Sequence, residues 1–172
     1  VIRVWTSGEI VLASYFANNI NAVLSFLLAP PIFQGRQTAA QSLTTGVYTA
    51  IGFDAEDIDS AGGHSTSSNT SRYVAQYAGW AEVVGSTGFA SNATGRRLNK
   101  LRVNGTTDIN GSDFSVGSGV TGVLKVTTPP MKIFFNVTDY VESLGAQESG
   151  GSLNTAATTV DQSMMGYHWL SN

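Results

Sequence analysis

The sequence predicts an all-β sandwich or jelly roll, preceded by a short N-terminal helix, with part of its surface covered by other subunits. Three observations carry this expectation. Short runs of alternating apolar and polar residues recur after Pro30-Pro31, and no helical period interrupts them. Clusters of Gly, Asn, Asp and Ser separate the runs, including two Asn-Gly pairs, the strongest short hairpin signal. Only 12% of the 172 residues are charged, about half the usual quarter, so part of the surface is expected to be covered by other subunits.

The N-terminal segment is read as a helix. Phe16, Ile20, Val23 and Leu27 recur at spacings of four, three and four, a heptad-like seam, with Leu24 beside it. Ser14 fits an N-cap, and Thr6-x-x-Glu9 fits a capping box for an earlier start. Pro30-Pro31 ends the helix, because a residue before proline is pushed out of the α region. Leu12, Tyr15, Phe26 and Leu28 add apolar residues on other faces, and such a helix needs burial to persist in water. Burial in its own domain, against its copies, or in a larger partner all remain open. Residues 1–31 are thus read as an N-terminal arm and helix, and residues 32–172 as the sandwich.

Within the sandwich, residues 47–53, 72–77, 80–84, 98–103, 120–126 and 133–141 alternate as strands. Turns fall at Gly62-Gly63, Asn92-Ala-Thr-Gly95, Asn104-Gly105, Asn110-Gly111 and Gly150-Gly151. Residues 145–159 read as a long exposed loop. The apolar run 23–33 is broken by Ser25 and the prolines and is too short to span a bilayer; no signal-peptide pattern is read, and no membrane partner is expected.

Composition excludes several chemistries. Nine basic residues scattered through a chain of net charge −3 make no phosphate-tracking stripe, so nucleic acid is not expected as a partner. With no cysteine, there are neither disulfides nor thiolate metal sites. The two histidines, His64 and His168, stand far apart, and no nucleophile elbow is present; a non-enzyme without cofactors is expected. Gly117-Ser-Gly-Val-Thr-Gly122 spells a dinucleotide fingerprint but precedes a strand, so it reads as a glycine-rich hairpin. Five N-x-Ser/Thr sequons open at Asn69, Asn92, Asn104, Asn110 and Asn136, where Asn equally serves turns.

Three sets of residues remain as sites. Asp54, Asp57 and Asp59, with Glu56, offer hard oxygen ligands for calcium, without EF-hand spacing; the alternative is a solvated acidic turn. Arg96, Lys100 and Arg102 alternate onto one strand face that would meet an acidic or glycan surface, or simply water. Phe134, Tyr140, Tyr167 and Trp169 are candidates for a trimer interface; strand alternation sends about half of such aromatics into the subunit's own core.

Two motifs carry a family resemblance. Ala78-Gly79-Trp80 resembles the Gly-aromatic strand start of the C1q and tumour-necrosis-factor jelly rolls, and Ser163-Met-Met-Gly-Tyr-His-Trp-Leu170 resembles their closing strand. A wider resemblance is to C1q-like structural proteins of tailed bacteriophages, particularly of actinobacteria. It rests on Trp5-Thr-Ser-Gly-Glu-Ile-Val11, Phe26-Leu-Leu-Ala-Pro-Pro31, Arg36-Gln-Thr-Ala-Ala-Gln-Ser42 and Phe53-Asp-Ala-Glu-Asp-Ile-Asp59. It rests also on Gly62-Gly-His-Ser65, Phe89-Ala-Ser-Asn-Ala-Thr-Gly-Arg-Arg97 and Arg102-Val-Asn-Gly105. The resemblance implies a C1q/TNF-like homotrimer and a virion protein of minor-tail, head-fibre or capsid-decoration type, held by its N-terminal anchor. Its implied partners are other tail or capsid proteins and, at a tail tip, a host cell-surface glycan. A secreted C1q-like module recognising glycan or protein is the alternative.

Overall fold

A computed structural model describes residues 20–21, 23–24, 26–117, 122–157 and 160–171 of the chain. In chain order the strands are β1 (Ile32–Arg36), β2 (Ser42–Leu43), β3 (Thr49–Ala50), β4 (Ala55–Asp59), β5 (Arg72–Val74), β6 (Gly79–Phe89) and β7 (Arg96–Val103). There follow β8 (Thr107–Asp108), β9 (Phe114–Gly117), β10 (Leu124–Thr127), β11 (Met131–Phe135), β12 (Tyr140–Gln147), β13 (Leu153–Asn154) and β14 (Met164–Ser171). Every pairing is antiparallel, and the strands form two stacked sheets. The first runs β10-β6-β14-β1-β4, with β11 also on β6; the second runs β3-β12-β7-β8, with β5 on β12 and β9 on β7. A small β13-β2 ladder closes one side. This is the expected all-β jelly-roll sandwich.

Alternation decides which residues face inward. Along β14, Met165, Tyr167 and Trp169 point into the core, while Met164, Gly166 and His168 lie on the outer face. An aromatic stack spans the two sheets: Phe33 on Tyr73 with centroids 4.8 Å apart, Tyr73 on Tyr167 at 4.3 Å, and Tyr167 against Phe135 at 5.6 Å. Each such side chain contributes about 1.5–3 kcal/mol by leaving water. Burial also pushes the Tyr167 phenol up to about 12.

The other half of the interior is small and polar. Gly85, Thr87, Ser143 and Gly145 bring the sheets together; a Cβ on Gly145 would lie 2.8 Å from Thr87 Cγ2. Ser143 Oγ donates to Asn99 Oδ1 at 3.0 Å, and Asn99 Nδ2 donates to the Val126 carbonyl at 3.2 Å. The buried Gln147 and the partly buried Gln41 organise the adjoining loops. Gln147 Nε2 donates to the carbonyls of Leu43 and Gly151, and Gln41 Oε1 accepts from the Gly52 amide.

Two sequence expectations are corrected. Residues 145–157 are not an open loop, and 158–159 lie outside the described residues: Gly145, Ala146 and Gln147 finish β12 inside the fold, and Leu153, Thr155 and Ala156 are buried. Their small and polar character reflects close sheet approach rather than solvent. The acidic run after Phe53 is not a free turn but the edge strand β4, paired with β1. Charged side chains on an edge discourage further strand pairing.

Helical backbone is present at Ile20, Asn21, Val23, Leu24, Phe26, Leu27 and Leu28, as expected; Phe16 lies outside the described residues. Phe26 docks on the domain, its ring 4.9 Å from Tyr77 and 4.8 Å from Trp169. Ile20, Val23, Leu24, Leu27 and Leu28 stay exposed.

Candidate functional site

Part of the exposed large apolar surface lies at one end of the sandwich, where β6 begins and β11 and β14 end, while Val47, Ile58, Phe114, Val123 and Val160 are exposed elsewhere. Trp80 pairs with Phe134 across β6 and β11, and their rings meet edge-on at 5.7 Å. Both sit on the outer face of the first sheet and are 47% exposed. Leu170 on β14, Tyr77 before β6 and Val137 after β11 extend the patch. The helical residues join it through Phe26, with Leu28 as much as 83% exposed. An apolar end of this kind, beside polar sheet faces, is a candidate association surface.

Of the four aromatics proposed for a subunit interface, the structure places two elsewhere. Tyr167 and Trp169 are 3% and 5% exposed in the single chain, and Trp169 Nε1 donates to the Ala78 carbonyl. Their odd positions on β14 face the core, so they are corrected to intrasubunit packing. Phe134 is on the exposed outer face. Tyr140 lies on the opposite sheet, under the Arg72 guanidinium. Trp80, the partner of Phe134, was missed, although its place one residue after Gly79 sets it on the outward phase of β6.

The basic face forms where alternation put it, since Arg96, Lys100 and Arg102 all project outward from β7. It is charge-compensated. Arg96 makes a two-pronged bond to Glu148 at 2.8 and 2.7 Å, and Asp108 takes both Lys100 and Arg102. Those donors hold the Asp108 carboxyl below the usual range, Arg102 first. Lys100 also lies over the Tyr48 ring, 3.9 Å from its centroid. Tyr48 donates to Asp113, and burial followed by that carboxylate pushes its phenol up to about 12. The face therefore presents paired charges rather than a free cationic surface.

The proposed calcium ligands do not converge. Asp54 accepts from the Thr38 amide and hydroxyl and from the Ala39 amide. Partial burial works to raise its carboxyl, but these donors hold it below the ordinary value. Asp57 is bound by Arg36 Nε at 2.8 Å and Gln34 Nε2 at 2.9 Å, and the Arg36 bond chiefly lowers its carboxyl. Asp59 accepts from the amides of Ala61, Gly62 and His64. Successive residues of a strand point to opposite faces, so the run is spread over both. Among the described residues no three acidic or histidine groups gather around one point.

His64 is fully buried, with Nδ1 2.7 Å from Glu56 Oε1 and Nε2 3.0 Å from the Thr70 carbonyl. A carbonyl only accepts, so Nε2 carries a proton, and both nitrogens are committed to holding the 62–70 loop. His168 is exposed on the outer face of the first sheet, between Ile32 and Glu82. The histidines share no site. The sequon asparagines serve turns: Asn69 and Asn104 take left-handed backbone with φ of 50° and 52°, and Asn92 and Asn136 bond to residues two and three further on. Residues 118–121 of the glycine-rich hexapeptide lie outside the described residues.

The chain matches no family model, and no curated protein matches it. Its fold is nevertheless shared with solved structures. The globular domain of zebrafish complement 1qA superposes with a TM-score of 0.61 over 83% of this chain and 99% of that one, at 12% identity. Murine APRIL gives 0.60 over 81% and 98%, at 7% identity. Eiger TNF from S. frugiperda gives 0.55 over 83% and 92%, at 13% identity. At such identities the likeness speaks for the fold alone, and that fold is the C1q/TNF-type jelly roll.

Proposed function

We propose that this chain is a non-enzymatic attachment module: a homotrimeric jelly-roll knob held to a larger assembly by its N-terminal segment. The apolar end carries this reading. Trp80, Phe134 and Leu170 on the sandwich and Leu24, Leu27 and Leu28 on the helix, which Phe26 docks onto the domain, all expose apolar surface on a chain that is only 12% charged. A cyclic trimer that packs three such ends around an axis covers the patch on every subunit. Threefold avidity then turns a weak contact per chain into firm attachment.

The assembly we propose is a tailed-phage virion, with the chain as a minor tail protein or as a capsid decoration or head-fibre protein, the tail slightly preferred. The support is the set of stretches from Trp5 to Gly105 that resemble C1q-like phage proteins. A secreted recognition module is the second reading, favoured by the likeness in fold to the complement 1qA globular domain.

Sedimentation of the full chain tests the trimer; a monomer at micromolar concentration overturns it. Labelling intact particles with a gold-tagged nanobody tests the location. Label on the tail tip makes the chain a host-surface binder, and label over the head makes it a decoration protein. No label on any particle overturns the virion reading and leaves the secreted module.

A further inference from the structure

A second concavity, separate from the apolar end, lies on the outer side of the second sheet between the 62–69 loop, β5 and the start of β12. Its volume is about 330 Å³, at the lower end of the range for small-molecule sites. Ser65, Ser68, Asn69, Arg72, Gln76 and Tyr140 line it, with the buried His64 behind. Arg72 is its one strong cation. The guanidinium carbon lies 4.2 Å from the Tyr140 ring centroid, and Nε is bonded to Glu142 Oε1 at 3.3 Å. Glu142 is itself nearly buried and also accepts from Ser71 Oγ at 2.7 Å.

This arrangement fixes the guanidinium plane before any ligand arrives. The stacked ring holds one face, and the buried carboxylate takes Nε. Neither terminal nitrogen has an acceptor among the described residues. Two parallel N–H groups on a fixed plane match the two oxygens of one carboxylate. A phosphate dianion would call for a second strong cation, and the lining has none. The rest of the wall is hydroxyl and amide. Gln76 donates to the Val74 carbonyl and keeps its oxygen and its other N–H, and the side chains of Ser68 and Asn69 have no partner among the described residues. Such groups suit the hydroxyls of a sugar better than an apolar body. The loop is held close: a Cβ at Gly63 would be 2.5 Å from the Val74 carbonyl oxygen and 2.6 Å from the Tyr73 ring.

We propose that this cleft binds a carboxylate-bearing sugar, with Arg72 gripping the carboxylate and Ser68, Asn69 and Gln76 meeting the hydroxyls. The site does not depend on the attachment reading, because it would serve a virion knob and a secreted module alike.

The test is a titration of the isotope-labelled full chain, followed by nuclear magnetic resonance. The probes are glucuronic acid, N-acetylneuraminic acid, glucose and acetate. Either sugar acid is expected to shift the Arg72 Nε–H and the Asn69 and Gln76 side-chain amides; the acid that acts at lower concentration names the sugar class. Glucose is expected to leave them in place. The variant R72K keeps the charge but loses the fork, and should bind about tenfold more weakly with an otherwise unchanged spectrum. If R72K fails to fold, Q76A provides the same comparison from the opposite wall. The proposal is overturned by no shift at ~20 mM sugar acid, by shifts that map elsewhere, or by equal effects of glucose. Acetate binding as tightly as both acids would overturn the sugar assignment.

Discussion

The ring of Phe26 meets that of Trp169 edge-on, with centroids 4.8 Å apart and planes at 74°. One aromatic side chain thus ties the N-terminal helix to the closing strand, while the helical residues on either side face outward. The helix is docked on the domain through this ring, and the attachment proposed for it can be tested apart from stability. Phe26→Ala should lower domain stability by about 1–2 kcal/mol, less than the about 3–5 of a fully buried phenylalanine, because the side chain is only partly covered. Ile20→Asp with Leu27→Asp should leave the melting temperature nearly unchanged and weaken self-association or particle attachment. Melting curves and sedimentation on the same samples check both. A large loss of melting temperature in the double variant would place the seam in the domain core.

The sheets pack closely at Gly85. A methyl there would fall on Ser143 Oγ and lie 2.8 Å from Ser143 Cβ and 3.1 Å from Leu101 Cδ2. Gly85→Ala is expected to cost about 1–3 kcal/mol through overpacking. Gly151→Ala is the control, since its Cβ meets nothing within 4 Å, and it should stay within about 0.5 kcal/mol of the parent. Urea midpoints of the two variants measure the difference. Equal midpoints would mean that the sheets separate at little cost.

Arg97 is almost wholly buried, yet among the described residues no carboxylate binds it. Its Nη1 donates to the carbonyls of Thr94 and Arg96 and its Nη2 to that of Asn92, at 2.8–3.0 Å. Burial pulls its guanidinium below the usual value, and the charge is met by these carbonyls and by the Phe89 ring, its centroid 5.9 Å from the guanidinium carbon. Arg97→Leu keeps the bulk but orphans three carbonyls and should cost about 2–4 kcal/mol. Hydrogen exchange should quicken first in residues 92–96. Unchanged exchange in that turn would show that water replaces the guanidinium.

The sandwich was legible in the sequence because its signals are local: alternation over a few residues, and Asn-Gly turns such as Asn104-Gly105, whose φ values of 52° and 68° need those residue types. Strand ends were less legible. β6 runs on past the expected end at residue 84 through Gly85, Ser86, Thr87 and Gly88, and Gly85 is small because Ser143 and Leu101 of the other sheet lie close. Sites were least legible. Arg72, Tyr140 and Glu142 meet through the pairing of β5 with β12, about seventy residues apart in the chain, and no local pattern announces that. Arg97 did leave a signal, since it occupies an inward phase of β7 with Asn99 and Leu101.

Asp139 joins two turns through donated bonds. Asn104 Nδ2 reaches its Oδ1 at 2.8 Å, and the Asn136 amide reaches its Oδ2 at 2.7 Å. The Asn104 bond, followed by that from the Asn136 amide, holds the Asp139 carboxyl below the ordinary carboxylate range. Asp57 and Asp108 are depressed likewise by their cationic partners. A carboxyl whose value is lower in the folded than in the unfolded chain stabilises the fold fully above the unfolded value, about 3.9, and loses that contribution as pH falls through the folded value. The urea midpoint should therefore be flat from about pH 7 to about pH 5 and fall below about pH 4. Asp139→Asn should lower the plateau, by under about 1 kcal/mol because the group is largely solvated, and make the acid limb shallower. A variant with the parent's plateau and the parent's acid slope would show that the two turns hold together without this carboxylate.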